Sequence, residues 1–298
     1  MNICMPGKYD NKNKTCFDLD ELIELCSAYN RYIAKNGMKL NKDKTHDMEF
    51  IKIKSDKPYL LKELKSRFEK ECHNDELCIT KQKFMNEIIN EYHDQILNKT
   101  FRKTGPDGST EWLSNTDIDE IMFPYENVYL DFKFMGAVPS DCGELKSCSL
   151  YRLDYDNLLK KRKSKIGIIF NHDTHDEPGS HWVALYIDLD KFDIYYCDST
   201  GHEPINNIKK IIDSHLTYCK NKQRKANYKI NTKAYQTDGS ECGIYSCNFL
   251  IRILSGESFD DIVKNSLNFK QINSCRNVYF NNNPSKEIPH KLCDPSIN

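Results

Sequence analysis

The chain has 298 residues, of which 39% are hydrophobic and 29% charged, and a mean hydropathy of −0.70. Its 43 Lys and Arg nearly cancel 44 Asp and Glu, giving a net charge of −1, so a bulk electrostatic grip on nucleic acid or anionic membrane is not expected. No apolar run approaches the ~20 residues that span a bilayer, and residues 1–14 lack the apolar stretch of a signal peptide, so neither membrane insertion nor secretion is expected.

The first hundred residues carry a helical period. Residues 17–26 place Leu19, Leu22, Ile23 and Cys26 at helical spacing, and residues 57–72 repeat the pattern. Residues 80–98 predict one more helix, with Phe84, Ile88, Ile89, Tyr92 and Ile96 on one face. Thr-Gly-Pro-Asp-Gly-Ser at 104–109 is the densest cluster of breakers and marks a hinge. A helical arm over 1–105 and a second domain over 106–298 are therefore expected. Beyond the hinge, short runs rich in Ile, Val, Tyr and Phe at 165–171, 182–188 and 192–197 read as consecutive strands. A helix over 204–220, a strand over 228–235 and an apolar helix over 242–254 follow. This order predicts an α+β domain.

Thirteen cysteines, an odd number spread over a long chain, read as reduced thiols, because a disulfide scaffold is a device of small secreted domains. Cys242 stands apart. Turn-forming residues, Thr-Asp-Gly-Ser-Glu, give way at this Cys to an apolar helix. A thiol in a first helical turn feels the partial positive charge of unpaired N–H groups, which favours the thiolate and prepares a place for an oxyanion. Gly243 lets a substrate backbone approach. A thiolate nucleophile needs an imidazole and an orienter behind it. His46, His73, His93, His202, His215 and His290 lie in polar context and read as solvated. His181 opens the run His-Trp-Val-Ala-Leu-Tyr, and the next strand ends at Asp198. A hairpin turning near 188–191 brings these two to one end of a sheet, where Asp198 can fix the imidazole tautomer. Gln236, six residues before Cys242, can fold back and donate to the oxyanion. Taken singly, each residue has an ordinary packing or capping explanation; jointly they point to a nucleophilic site.

His-Trp, then Asp-Ser, then Gln-x5-Cys-Gly-Ile-Tyr, in that order, resembles the ubiquitin-like-protein (SUMO) and adenovirus-type cysteine protease superfamily over about residues 110–255. The resemblance implies a papain-like core, a central mixed sheet flanked by helices, behind the helical arm. It assigns Cys242, His181 and Asp198 to a catalytic triad and Gln236 to the oxyanion donor. In this family two Trp form a narrow slot that admits only glycine, a role that falls here to Trp112 and Trp182, although Asn115 stands where the family often has Asp. Polyprotein-processing proteases of large DNA viruses, that of African swine fever virus among them, resemble the chain most in Gly179-Ser-His-Trp-Val-Ala184, Asp198-Ser-Thr-Gly201 and 236–242. The third triad residue of the African swine fever virus protease is Asn, a position this chain fills with Asp198. The implied activity is cleavage of viral structural polyproteins after Gly-Gly during virion maturation, in the host cytoplasm and the virion.

Rival readings use the same residues. The site could serve an isopeptidase removing a ubiquitin-like modifier, an acyltransferase, or a silent binding protein. Other motifs are weaker. The basic run 160–165 reads as a solvated face, so nucleic acid is not the main ligand expected. Asn-His-Asp-Thr-His-Asp at 171–176 has metal-ligand chemistry in a polar loop, and Cys72/Cys78 and Cys142/Cys148 have poor zinc-finger spacing. Neither a metal nor a cofactor is expected.

Overall fold

The computed structural model describes residues 3–40, 50–106, 110–237, 239–281 and 291–295. Of the residues singled out above, His46, His290 and the hinge residues 107–109 lie outside these. The chain divides into two compact units, Met1–Lys103 and Thr104–Asn298.

The first unit is helical: α1 (Leu19–Leu40), α2 (Lys57–Arg67), α3 (Glu69–Cys72), α4 (Glu76–Ile79) and α5 (Asn90–Lys99). The apolar stripes of these helices meet in a core that includes Leu22, Leu25, Leu60, Leu64, Phe84 and Ile96. Asp56 caps α2 by accepting from the Tyr59 N–H, which satisfies one of the orphan donors at a helix start. The single helix expected over 80–98 is broken. A 3-10 turn at Lys83–Glu87 leads into an extended Ile88 and Ile89 before α5 begins. Two adjacent β-branched residues tolerate this geometry well, and the Ile89 N–H is drawn off to Glu24 Oε1 at 2.9 Å. The break leaves Ile89 52% exposed while Ile88 and Ile96 stay buried.

The second unit runs α6 (Asn115–Met122), α7 (Tyr125–Val128), β1 (Phe132–Val138), α8 (Tyr155–Lys160), β2 (Lys165–Asn171), β3 (Trp182–Asp188), β4 (Asp193–Cys197), α9 (Asn206–Asn221), β5 (Asn227–Ile230), α10 (Cys242–Leu254), α11 (Phe259–Lys264), α12 (Phe269–Ser274) and α13 (Arg276–Tyr279). The sheet order is β1-β2-β3-β4-β5, parallel at both margins and antiparallel through the centre. Every residue of β3 is buried, as befits a central strand covered on both faces. All of α10 is buried too, and it shares one core with α6, β1 and the C-terminal helices. Ile208 and Ile212 of α9 close the other face.

Two sequence expectations are corrected here. Eight cysteines are joined as Cys4–Cys16, Cys72–Cys78, Cys142–Cys148 and Cys275–Cys293. Each bridge is local, with Cα atoms 5.1–5.5 Å apart, so the fold brings the partners into disulfide range whatever the chain length suggests. Cys26, Cys197, Cys219, Cys242 and Cys247 remain as buried thiols. His215 is not solvated: it lies on the buried stripe of α9 with Ile208, Ile212 and Cys219, and Cys219 Sγ lies 3.3 Å from its Nε2. Charged neighbours in the sequence concealed that stripe.

Candidate active site

Sheet register builds the first half of the site. Ala184 of β3 pairs with Cys197 of β4, so His181, just before β3, and Asp198, just after β4, emerge at the same end. His181 Nε2 meets Asp198 Oδ1 at 2.7 Å. The Cys242 thiol lies close enough to the same imidazole to act on its charge. Burial works against a charged ring, but the bond to Asp198 and the nearby Cys242 outweigh it and raise the His181 pKa to about 9. The ring is therefore an imidazolium at neutral pH. Burial also opposes charge on Asp198, yet His181 and Thr200 hold its carboxyl below the usual range.

Four neighbours that sequence reasoning missed hold this arrangement. Thr200 donates to Asp198 Oδ1 from both its N–H (2.8 Å) and its hydroxyl (2.7 Å), a local turn motif that the Asp-Ser-Thr-Gly string could have signalled. Gly201 closes that turn at φ +75°, where a Cβ would sit 2.8 Å from the Ala234 backbone nitrogen. Asn231, buried where the chain leaves β5, accepts from the Asp198 N–H at 2.8 Å and donates to its carbonyl at 2.6 Å. Nothing local marks it, because its partner is 33 residues away. His172 lies with its ring 4.9 Å from that of His181, and burial together with the charge on His181 pushes its pKa down. His175 of the same loop binds Asp141 Oδ2 through Nδ1 at 2.7 Å.

Cys242 is the first residue of α10, and among the described residues no side-chain hydrogen bond caps that helix. Its first N–H groups are thus available to an oxyanion. Gln236 is held by Ser199: the Ser199 hydroxyl donates to Oε1 at 2.5 Å, and the Gln236 N–H donates to the Ser199 carbonyl at 3.0 Å. With the oxygen so occupied, the donor end of the amide is its NH2 group.

The two Trp come together by way of Leu113. The Trp182 indole donates to the Leu113 carbonyl at 2.9 Å, and Trp112 and Trp182 line one cavity of about 590 Å³ with Ala137, Pro139, Asn171 and Pro178. The cavity flanks Cys242 and His181 rather than enclosing them. Trp112 is 54% exposed and Trp182 buried. The space expected over Gly243 for a substrate backbone is taken by Leu113, whose Cβ would lie 3.1 Å from a Cβ at residue 243. Gly243 therefore seats the Trp112 segment against α10.

Residues 157–283 match the Ulp1 protease family, C-terminal catalytic domain, a span that contains His181, Asp198, Gln236 and Cys242. Over 99% of each chain the sequence is 54% identical to a protein of Acanthamoeba polyphaga mimivirus named as a thiol protease. The chain belongs to the Ulp1 protease family. It is a cysteine protease. A cysteine protease of African swine fever virus (isolate Tick/Malawi/Lil 20-1/1983) is 23% identical over 206 residues, covering 62% of this chain and 73% of the relative. The crystal structure of a protease from that virus superposes with a TM-score of 0.60 at 17% identity, over 94% of this chain and 95% of the other. The mixed sheet, its flanking helices and the helical N-terminal unit are thus a fold shared with that viral protease, as the sequence led us to expect.

Proposed function

We propose that this protease is an endopeptidase that cuts structural polyproteins after Gly-Gly, acting in virion maturation in the host cytoplasm and the virion. The observation that carries this reading is the His181 ring, bonded to Asp198 and within reach of Cys242, next to a cavity lined by both Trp. A slot between flat indoles rejects any Cβ and so selects glycine. The Cys242 thiolate attacks the carbonyl carbon of the second glycine, a C–S bond forms, and the carbonyl electrons move to oxygen. The Gln236 amide and the first N–H groups of α10 receive that oxyanion. The His181 imidazolium gives its proton to the leaving nitrogen as the C–N bond breaks. Neutral His181 then takes a proton from water, the hydroxide attacks the thioester, and the thiolate departs. Asp198 keeps the ring in the tautomer that does both jobs.

A second reading is removal of a ubiquitin-like modifier by the same chemistry. The family assignment favours it, as does the name SUMO-1 cysteine protease carried by an African swine fever virus relative. The test offers wild type and Cys242→Ala a peptide library centred on Gly-Gly, and fluorogenic SUMO and ubiquitin C-terminal conjugates. Peptide cleavage after Gly-Gly, lowered on the order of 10⁴-fold or more by the substitution, is the expected result. Cleavage of conjugates alone moves the protein to the modifier-removing enzymes. Failure on both substrates overturns the proposal.

A further inference from the structure

Trp112 owes its position to backbone rather than to packing. Its indole is half exposed, whereas the residues on either side of it are tied down. Leu113 is held through its carbonyl by Trp182 and through its side chain by Gly243. Ser114 then starts α6 with a reciprocal capping box to Asp117, which fixes the exit of the segment. At the entry, the Glu111 carbonyl accepts from Arg276 Nη2 at 2.6 Å, across 165 residues of sequence.

Arg276 is an expensive anchor. It opens α13 with only 6% of its surface exposed. Its Nε donates to nearby Asn273 Oδ1 at 2.9 Å, and its Nη1 is buried without a hydrogen-bond partner. A packing role alone is better filled by an apolar side chain, because a buried guanidinium carries a desolvation cost that hydrogen bonds must offset. Glu241, Glu111, Asp117 and Cys242 lie near enough to act on its charge; they are the residue before Cys242, the residue before Trp112, the partner in the α6 capping box and Cys242 itself. The direct bond is to the Glu111 carbonyl, so Arg276 holds the Trp112 segment from a place within electrostatic reach of the turn that carries Cys242.

We propose that Arg276 is the positioning residue that sets the Trp112 segment against the nucleophile turn, and so sets how strictly glycine is required before the cut. The specificity part rests on the Gly-Gly reading; the positioning part does not. Rejecting a single methyl group demands that the indole stay within a fraction of an ångström. Loosening the Glu111 anchor therefore relaxes specificity before it slows the chemistry.

The test compares Arg276→Gln and Arg276→Lys with wild type on peptides that differ only in Gly-Gly, Gly-Ala or Ala-Gly before the scissile bond. Arg276→Gln is expected to raise KM for Gly-Gly and leave kcat nearly unchanged. Its preference for Gly-Gly over Gly-Ala should shrink by about tenfold, the scale on which one methyl group is discriminated. Arg276→Lys, which keeps one donor, should fall between. A substrate-free arm uses 5-fluorotryptophan: the chain has two Trp, so 19F NMR shows two resonances, and Trp112→Phe assigns them. Arg276→Gln is expected to shift or narrow the Trp112 resonance and leave that of Trp182 in place. An unchanged Trp112 resonance with unchanged preference, in a variant that melts like wild type, overturns the proposal. So does a fall in kcat with preference unchanged. If Arg276→Gln does not fold, Arg276→Lys carries both arms. A wild type indifferent to Gly-Gly refutes the proposed function, and the 19F arm then judges Arg276 alone.

Discussion

Replacing Asn231 by Ala tests whether the Asp198 backbone is what keeps His181 charged. The substitution removes the bonds to the Asp198 N–H and carbonyl, at 2.8 and 2.6 Å, and a third to the Lys233 carbonyl at 3.2 Å. Asp198 is fully buried, so its N–H is left without the partner that Asn231 supplied, whereas its carbonyl keeps the Gly201 N–H at 2.9 Å. At about 1–3 kcal/mol for an orphaned buried group, stability should fall by roughly 1–3 kcal/mol. The catalytic effect is separate. Freed of its clamp, the carboxylate drifts from His181 Nε2, and a shift near 1 Å costs on the order of 10² in rate. The pH profile distinguishes the two effects. His181 titrates at about 9 because Asp198 and Cys242 outweigh burial; weakening the Asp198 bond lets the value slide toward the ordinary 6.5. The alkaline limb of kcat/KM, set by loss of the imidazolium, should move to lower pH by one unit or more in Asn231→Ala. The measurement is kcat/KM from pH 6 to 10, well below the melting temperature, normalised to the fraction of Cys242 that iodoacetamide titrates. A variant that is less stable but keeps the wild-type alkaline limb refutes the reasoning, since Asn231 would then support the fold and not the ring.

Gln236→Ala should lower kcat by about 10²–10³ with little change in KM, because an oxyanion donor acts in the transition state; steady-state kinetics on one Gly-Gly peptide suffice. Asp198→Asn keeps an acceptor for His181 Nε2 but removes its charge. The alkaline limb should again fall from about 9, and each unit lost lowers the imidazolium-to-imidazole ratio above that pKa about tenfold. His215 provides a stability test at acid pH. Burial lowers its pKa to about 4, so the unfolded chain takes up the proton first. The stability it supports is complete above pH 6.5 and is lost as pH falls toward 4, by about 2–3 kcal/mol at pH 4.5. Thermal melts at pH 7 and 4.5 should show a smaller difference for His215→Phe than for wild type; an equal difference removes His215 from the account.

The catalytic unit was legible where one residue pattern meant one thing. Strands β2, β3 and β4 are unbroken apolar runs between turns, and α10 is apolar on every side, so period and length decided them. β1 escaped because Gly136 and a register shift between Phe134 and Ala137 interrupt its pattern. The helix over 80–98 failed because Glu24, far away in sequence, captures the Ile89 N–H. Cys242 and His181 could be picked out because each sits where a turn meets a regular element. Asn231, Ser199 and Arg276 could not, since each acts on a partner distant in sequence. The disulfides escaped for a different reason: the reading used the habits of a compartment, whereas bonding depends on Cα distances that only the fold supplies.

The β2–β3–β4 meander occupies one continuous stretch, 165–197, and its central pairings join neighbours in sequence. Pairings of this kind close small loops and form early, whereas the parallel margins and the docking of α10 wait for distant segments. The base and its orienter therefore belong to a piece of structure that can assemble first, and the nucleophile belongs to the piece that arrives last. A partly folded or nascent chain can hold His181 beside Asp198 and still be inert, because the thiol has not yet been delivered. Under the proposed function, in which the enzyme is made among its own substrates, this folding order acts as a delay before the first cut.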